Sequence, residues 1–575
     1  MSCNEESYVI TSDLITKWME LGLGNENLNA ELTQIIDKHT GKNFPVILDD
    51  QRQAFVTFIF PDDFTTKMFE FERSSIIRLN FLRICLRDKS LGESNVLSSI
   101  LPILLKITFL DGNNVKLQNS AKILLEANKC LVNFLFNSSI GRAHFKEEPF
   151  KLLISRISFV GPILKGKKEI LFSNEDGGAF VYLNNWCQQE LEELLLLDMK
   201  IVFVVSAQER QLQLYCQKDF NINKIFQEII ANSLDKLIES PSPANIVSSI
   251  RPFINEALLI LFNIYHQIVF QQQPLDSNII QLFLNECGRI LQNSFLNMEI
   301  KQNTINFMAT IPNTLSTLCP KIEDSTTIYN QNKLIFEGYD VTFLDKLLNI
   351  LEEHIDQYEK GNVPAFSEHL VMFLRMMTSL CMDHKVARRY CRLKVIPPLT
   401  AEDVKHRPDV GSSFRNKLVR LISSIGALSN ASADFLFVLC KRSAGRLVKY
   451  TGFGHAAGLL ADRGILGRAL APKHPSDSED SETEGYKEVE NEVNPVTGYI
   501  PPAGQLEEFR KQFESMSEEQ KEHEAMKLVN AMDKLMDQGL IAPGTVGEDG
   551  RVRQVKHVAE LIKDVEKADE KEDSD

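Results

Sequence analysis

The chain has 575 residues. One hydrophobic core stops growing near ~250–300 residues, so the chain must divide into domains or extend as a stack. Apolar content is 43% and charged content 25%, a soluble globular balance that excludes both a disordered and a membrane-embedded chain. The net charge of −15 disfavours nonspecific nucleic-acid binding and favours a basic protein partner. Much of that excess follows residue 475, which leaves the body nearer to neutral.

The first residues, MSCNEESYVITSD, are polar and acidic, unlike a signal peptide. From there to about residue 470 helical patterns dominate. Residues 74–89, 120–137, 245–271, 341–361 and 414–425 each read as helix. In the second, Ala127, Cys130, Leu131, Phe134 and Leu135 recur at i, i+3, i+4, i+7 and i+8, which is one helical face. The run KIVFVVS (200–206) is the best strand candidate and is ambiguous. The apolar stretch 191–205 is interrupted by charges before the ~18 residues of a membrane span. Asp111-Gly112, Pro241-Ser242-Pro243 and Pro397-Pro398 break the pattern between helices.

Helices of ~10–20 residues with short breaks admit a helical bundle or an α-solenoid. EANKCLVNFL (126–135) is similar to the last helix of an armadillo repeat, in which the residue at the place of Asn133 faces a groove and binds a guest peptide. A polar residue on an exposed helix face is the competing reading.

Composition shifts at Pro472. Residues 471–515 are rich in Pro, Ser and acid, and read as a flexible linker with too few apolar residues to pack. Ser517-Glu518-Glu519-Gln520 fits a capping box. It opens an amphipathic helix over 516–540 whose stripe includes Leu528, Val529, Met532 and Leu535. Residues 541–575 read as a mostly disordered acidic tail.

Chemistry-bearing motifs are absent or spoiled. There is no Walker-type loop. Gly452, Gly454 and Gly458 are spaced one residue too long for a dinucleotide fingerprint and follow a helix, not a strand. His523-Glu524 opens like a zincin motif, but Lys527 replaces its second histidine. The ten cysteines include no C-x-x-C pair and mostly fall inside apolar runs, so neither a zinc site nor a disulfide framework is expected. No cofactor, metal or catalytic residue is expected, and the protein is expected not to be an enzyme.

Several segments together carry a resemblance: VIPPL (395–399), RPDVGSSFRNKLVRL (407–421), DFLFVLCKRSAGRLVKYTGFGHAAGLLADRG (434–464), the SDSEDSETEGYKE run, NPVTG (494–498) and MSEEQKEHEAMKLV (516–529). The chain resembles the synembryn family, cytosolic chaperones and guanine-nucleotide exchange factors for heterotrimeric G-protein α subunits. The resemblance is collinear over about 338–540 and weaker before that. It implies an all-α, armadillo/HEAT-like α-solenoid over 1–470, a body that holds the C-terminal helix of Gα, and an arm that reaches the nucleotide-binding domain. The expected ligands are GDP-bound or nucleotide-free α subunits, not the βγ-bound heterotrimer. The protein is expected to be a monomer without nucleic-acid partners or integral membrane segment, cytoplasmic, with recruitment to the inner face of the plasma membrane or the cell cortex. A passive armadillo scaffold or transport adaptor is the alternative; its ladder of groove Asn and Trp is missing, because only Trp18 and Trp186 occur.

Three site expectations follow. Arg83 and Arg87, i and i+4 on one helix, are expected to hold the carboxylate end of the Gα helix together with Asn133. Leu528, Val529, Met532 and Leu535 are expected to meet the Ras-like domain of Gα. Ser476 and Ser481 each have Glu at +3 and fit an acidophilic kinase. They align with the family's phosphorylated pair, although Ser481 replaces a Thr and Gly485 an acid. Lys385 and Arg389 are the expected dock for phospho-Ser476, with Lys441, Arg442 and Arg446 for phospho-Ser481.

Overall fold

The computed structural model describes residues 8–39, 41, 43–111, 120–164, 166, 186–266, 277–311, 318–322, 333–361, 366–465, 483–502, 511, 514–523, 526–527, 544–546 and 552–554. The chain forms two compact units, Met1–Thr314 and Leu315–Asp575. The division falls inside the stretch 1–470, past the ~250–300 residues at which one core stops growing.

In the first unit, the helices Glu26–Lys38, Glu72–Cys85, Ala121–Asn137, Gln188–Gln208, Pro243–Tyr265 and Met298–Ala309 pack each on the next in a row. A second set backs them. Arg52–Ile59 packs under Glu72–Cys85, Ile100–Ile107 under Ala121–Asn137, and Glu147–Ile157 under Gln188–Gln208. Phe220–Glu239 lies against Pro243–Tyr265, and Ser277–Gln292 against Phe220–Glu239. This is an all-α, two-layer stack of the α-solenoid kind.

Position in the row explains the ambiguous segment KIVFVVS. It is the C-terminal part of the Gln188–Gln208 helix, which has helical neighbours on both sides and a backing helix behind. Ile201, Val202, Val204 and Val205 are all buried. A helix apolar on nearly every side loses the 3.6-residue signal and looks like a strand. Pro243–Tyr265 is the one described helix apolar and long enough to cross a membrane by composition. Here it packs between Gln188–Gln208, Phe220–Glu239 and Met298–Ala309.

Polar side chains fasten the layers. Arg156 on the backing helix makes a bidentate pair with Asp198 on the row, Nε–Oδ2 and Nη2–Oδ1 both 2.6 Å. Its Nη1 donates to the Thr108 carbonyl at 2.7 Å. Asp198 is 0% exposed and Arg156 5%. Arg78, also buried, donates to the carbonyls of Phe58 and Gly22. Each carbonyl belongs to a helix end, where partial negative charge accumulates.

The second unit starts with a hairpin, Ile335–Phe336 against Tyr339–Asp340. Its turn residues Glu337 and Gly338 have φ of 50° and 78°, as a two-residue hairpin turn requires. Phe336 lies edge-on to Tyr390 and Tyr339 to His384, which fixes the hairpin to the Lys385–Val395 helix. Thr342–Glu359, Phe366–Asp383 and Ala427–Leu439 form the core with Phe414–Ile422. The last is clamped to the first by Lys417, which reaches Glu352 and Asp356 at 2.8 and 2.7 Å, and by the Arg420–Glu359 pair.

Candidate partner-binding site

Among the row helices of the first unit, one polar network joins three neighbours. Arg83 Nε lies 3.3 Å from Glu126, and Lys129 bridges Glu126 at 2.8 Å and Glu193 at 2.9 Å. Asn133 Nδ2 donates to the Arg83 carbonyl at 2.9 Å, and Asn137 Nδ2 to the Leu86 carbonyl at 2.8 Å. The expected pair Arg83 and Asn133 therefore does come together, at the last turn of the Glu72–Cys85 helix. Arg87 does not join them. That helix ends at Cys85 with Leu86 as its cap, so Arg87 is past the end and not i, i+4 on one helix. Its Nη1 instead donates to the carbonyls of His39 and Asn43, each at 3.0 Å, tying down the C-terminus of the Glu26–Lys38 helix.

In the second unit, Lys385 and Arg389 lie one turn apart on the Lys385–Val395 helix, both exposed. Arg389 pairs with Glu337 of the hairpin at 3.0 Å. Lys441 and Arg442 form the turn before Ala444–Thr451, both with left-handed φ (56° and 58°). Arg446 is buried. Ser476, Ser481, Leu528, Val529, Met532 and Leu535 lie outside the described residues.

The unpacked linker expected across 471–515 is corrected over residues 483–502, which return onto the second unit as a strap. Thr483 donates to the Leu399 carbonyl from its amide (3.2 Å) and hydroxyl (2.8 Å). It also caps the short Glu484–Val489 helix. Tyr486 is 3% exposed, with Lys449 Nζ 4.4 Å above its ring. The amides of Phe453 and Gly454, at the start of the Phe453–Asp462 helix, donate to the carbonyls of Pro495 (2.9 Å) and Val496 (3.0 Å). Ile500 N donates to the Val404 carbonyl at 2.7 Å. Gly452 and Gly498 seat this crossing. Both have positive φ, and a Cβ on Gly498 would lie 3.0 Å from Gly452 N and 2.8 Å from Pro408.

The glycine pattern TGFGHAAG thus has a use: its helix N-terminus receives main-chain carbonyls of the chain's own strap. The RPDVG loop is similarly internal, held by Asn416 to the Pro408 carbonyl and by Arg420 to those of Asp409 and Gly411. Composition hid the strap, because one buried tyrosine and backbone hydrogen bonds do most of the anchoring. The signal that was available is NPVTGY, a turn sequence next to an aromatic residue.

Beyond the strap, Ser517 and Gln520 make the expected capping box: Ser517 N donates to Gln520 Oε1 at 3.1 Å and Gln520 N to Ser517 Oγ at 3.2 Å. Met526 is 65% exposed. The tail expectation for 541–575 is corrected in part, since Gly544–Val546 and Val552–Gln554 pair as an antiparallel hairpin.

The family model described as "Guanine nucleotide exchange factor synembryn" (Ric8) matches residues 78–551. The chain belongs to this family. A "Chaperone ric-8" of Caenorhabditis briggsae is 32% identical over 533 residues, covering 88% of this chain and 90% of its own. That of Caenorhabditis elegans is 31% identical over 525 residues, covering 87% and 88%. A "Chaperone Ric-8A" of Danio rerio is 39% identical over 261 residues, 45% of this chain and 44% of its own. A solved structure from work on a phosphorylation switch between cadherin and beta-catenin overlaps 81% of this chain and 97% of its own, with TM-score 0.25 and 11% identity. That likeness is too slight to bear on the fold. The synembryn match, from Arg78 onward, takes in the polar network around Arg83, the strap and the capping box.

Proposed function

We propose that this synembryn-family chain is a chaperone and guanine-nucleotide exchange factor for heterotrimeric G-protein α subunits. The observation that carries the reading is the exchange-factor family match over residues 78–551, which spans both units and the start of the C-terminal arm. Such a protein needs no bond-making residues. It binds the nucleotide-free partner more tightly than the loaded one. By linkage GTP then weakens the complex by the same factor, which gives release. Binding a marginally stable nascent partner also stabilises it by mass action.

In this reading the Arg83–Asn133 corner receives the carboxylate end of the Gα C-terminal helix. Arg83 offers a planar donor fork suited to a carboxylate. Asn133 keeps the turn that carries Arg83 in place. Arg87 supports the neighbouring helix end. The stripe Leu528, Val529, Met532 and Leu535 meets the Ras-like domain. Phosphates on Ser476 and Ser481, each adding about −1.5 to −2 charges, dock on the basic residues of the second unit, Lys385 and Arg389 for the first, through an acidophilic kinase. The protein works as a cytoplasmic monomer on GDP-bound or nucleotide-free subunits.

The test is nucleotide exchange on purified Gα with full-length chain, and with the chain truncated before Ser517. Acceleration by the first, with reduced acceleration but retained binding of a Gα C-terminal peptide by the second, is expected. No acceleration by either would leave the adaptor reading in its place.

A further inference from the structure

We infer that the strap, not the covalent connection through residues 466–482, places the C-terminal arm. The inference rests on the proposed role of that arm. The geometry behind it is independent of phosphorylation and of any partner.

The chain leaves the Phe453–Asp462 helix at Ile465, whose amide still bonds the Leu460 carbonyl at 2.9 Å. Among the described residues, bonds to the body run from Thr483 to Ile500. The anchors are of different kinds and fall at both ends of the strap. Tyr486 fills a buried site under Lys449 near the beginning. The Pro495 and Val496 carbonyls cap a helix N-terminus in the middle, a place where acceptors are favoured. Ile500 bonds Val404 near the end. The glycine pair fixes register, because at φ of 76° and 74° with main chain 3.0 Å away neither position has room for a side chain.

This changes the tether that governs the arm. From the last described strap residue, Pro502, 14 residues precede Ser517; from Ile465, 51 do. Local concentration falls roughly as the −3/2 power of tether length. Loss of the strap should therefore dilute the arm several-fold at its place of action, with every covalent bond intact. Conversely, cutting the chain inside the acidic run should not dilute it, because the strap carries the fragment.

The test inserts a site for a sequence-specific protease between Glu479 and Asp480 of the full chain. After cleavage of the otherwise wild-type protein, the fragment beginning in the acidic run should co-elute with the body on size exclusion at micromolar concentration. Exchange on Gα should stay within about twofold of the uncut protein. Two variants then remove different anchors: Tyr486→Ala empties the buried site, and Ile500→Pro removes the donor to Val404. Burial of a large aromatic implies that Y486A weakens fragment retention on the order of 100-fold. Y486A and I500P combined, uncut, should lose exchange several-fold, and more than either alone, while far-UV circular dichroism reports intact helix. Separation of the wild-type fragment after cleavage would overturn the inference, and so would undiminished retention in both variants. If the fragment co-elutes yet deleting everything after Pro502 leaves exchange unchanged, the strap stands and the proposed role of the arm fails.

Discussion

Replacing Asp198 by Asn tests how the first unit is fastened. The substitution keeps the shape of the side chain and removes its charge. Arg156, 5% exposed, then keeps only neutral acceptors: the Thr108 carbonyl at 2.7 Å and, more distantly, Asn128 Oδ1 at 3.4 Å. Breaking a buried pair from one side costs about 3–5 kcal/mol. The surviving Thr108 bond argues for the lower end, about 3 kcal/mol. A domain of this size shifts by roughly 2 °C per kcal/mol, so the first unit should melt about 6 °C lower. Burial is the larger influence on Asp198 and holds its carboxyl above the ordinary value despite the adjacent guanidinium. Desolvation therefore outweighs attraction, the condition in which an apolar pair of similar volume substitutes without loss. The double variant Arg156→Met/Asp198→Leu should accordingly lose no more than the Thr108 carbonyl's missing donor costs, about 1–3 kcal/mol. Urea unfolding of wild type, both single variants and the double variant completes the cycle. The reasoning is refuted if D198N costs less than about 1 kcal/mol, or if the double variant loses the sum of the two singles.

The other predictions separate support from recognition. Arg87→Glu should destabilise the first unit, because it strips the His39 and Asn43 carbonyls of their donor, whereas Arg83→Gln, which keeps a neutral donor beside Glu126, should lower the melting temperature less than Arg87→Glu does and abolish binding of a Gα C-terminal peptide measured by calorimetry. Arg78→Met leaves the Phe58 and Gly22 carbonyls without this donor and should cost about 2–4 kcal/mol in urea unfolding; burial already brings the arginine's pKa down to about 10. The Ser139 backbone amide, then its hydroxyl, hold the Glu93 carboxyl below its ordinary value. A depressed folded-state pKa gives a contribution present above the unfolded pKa and lost as pH falls through the folded one. The stability gap between wild type and Glu93→Gln should therefore close on acidification below about pH 4.3, and a gap independent of pH would contradict it.

How much of this was legible depended on whether an element announces itself locally. Residues 341–361 read as helix and form Thr342–Glu359, because one apolar face and one charged face alternate cleanly there. Residues 120–137 likewise form Ala121–Asn137. The Ser517 capping box was legible because both partners lie within four residues. Arg87 was misplaced because a helix C-terminus without glycine carries little signal: Leu86 caps Glu72–Cys85 with no sequence mark. The strap was missed because its anchors pair residues far apart in the chain, Thr483 with Leu399 and Ile500 with Val404. The motif singles out Asn133 for a guest peptide, whereas in the fold its amide donates to the chain's own Arg83 carbonyl. No periodicity reports that.

The cysteines carry a practical consequence. Of those described, Cys187 alone is exposed, while Cys85, Cys130, Cys216 and Cys287 are buried in the first unit and Cys319, Cys381, Cys391 and Cys440 in the second. Burial keeps these eight out of reach of solvent while the structure holds, and it also pushes the thiols of Cys216 and Cys440 up to about 12, which leaves those two protonated and unreactive. A thiol-reactive probe applied in a short pulse during denaturation therefore tags these eight sites only as their unit opens, while Cys187 reacts throughout. Peptide mapping of the tagged sites gives an unfolding clock for each half of the chain, with no engineered label and with four native reporters on either side of the division.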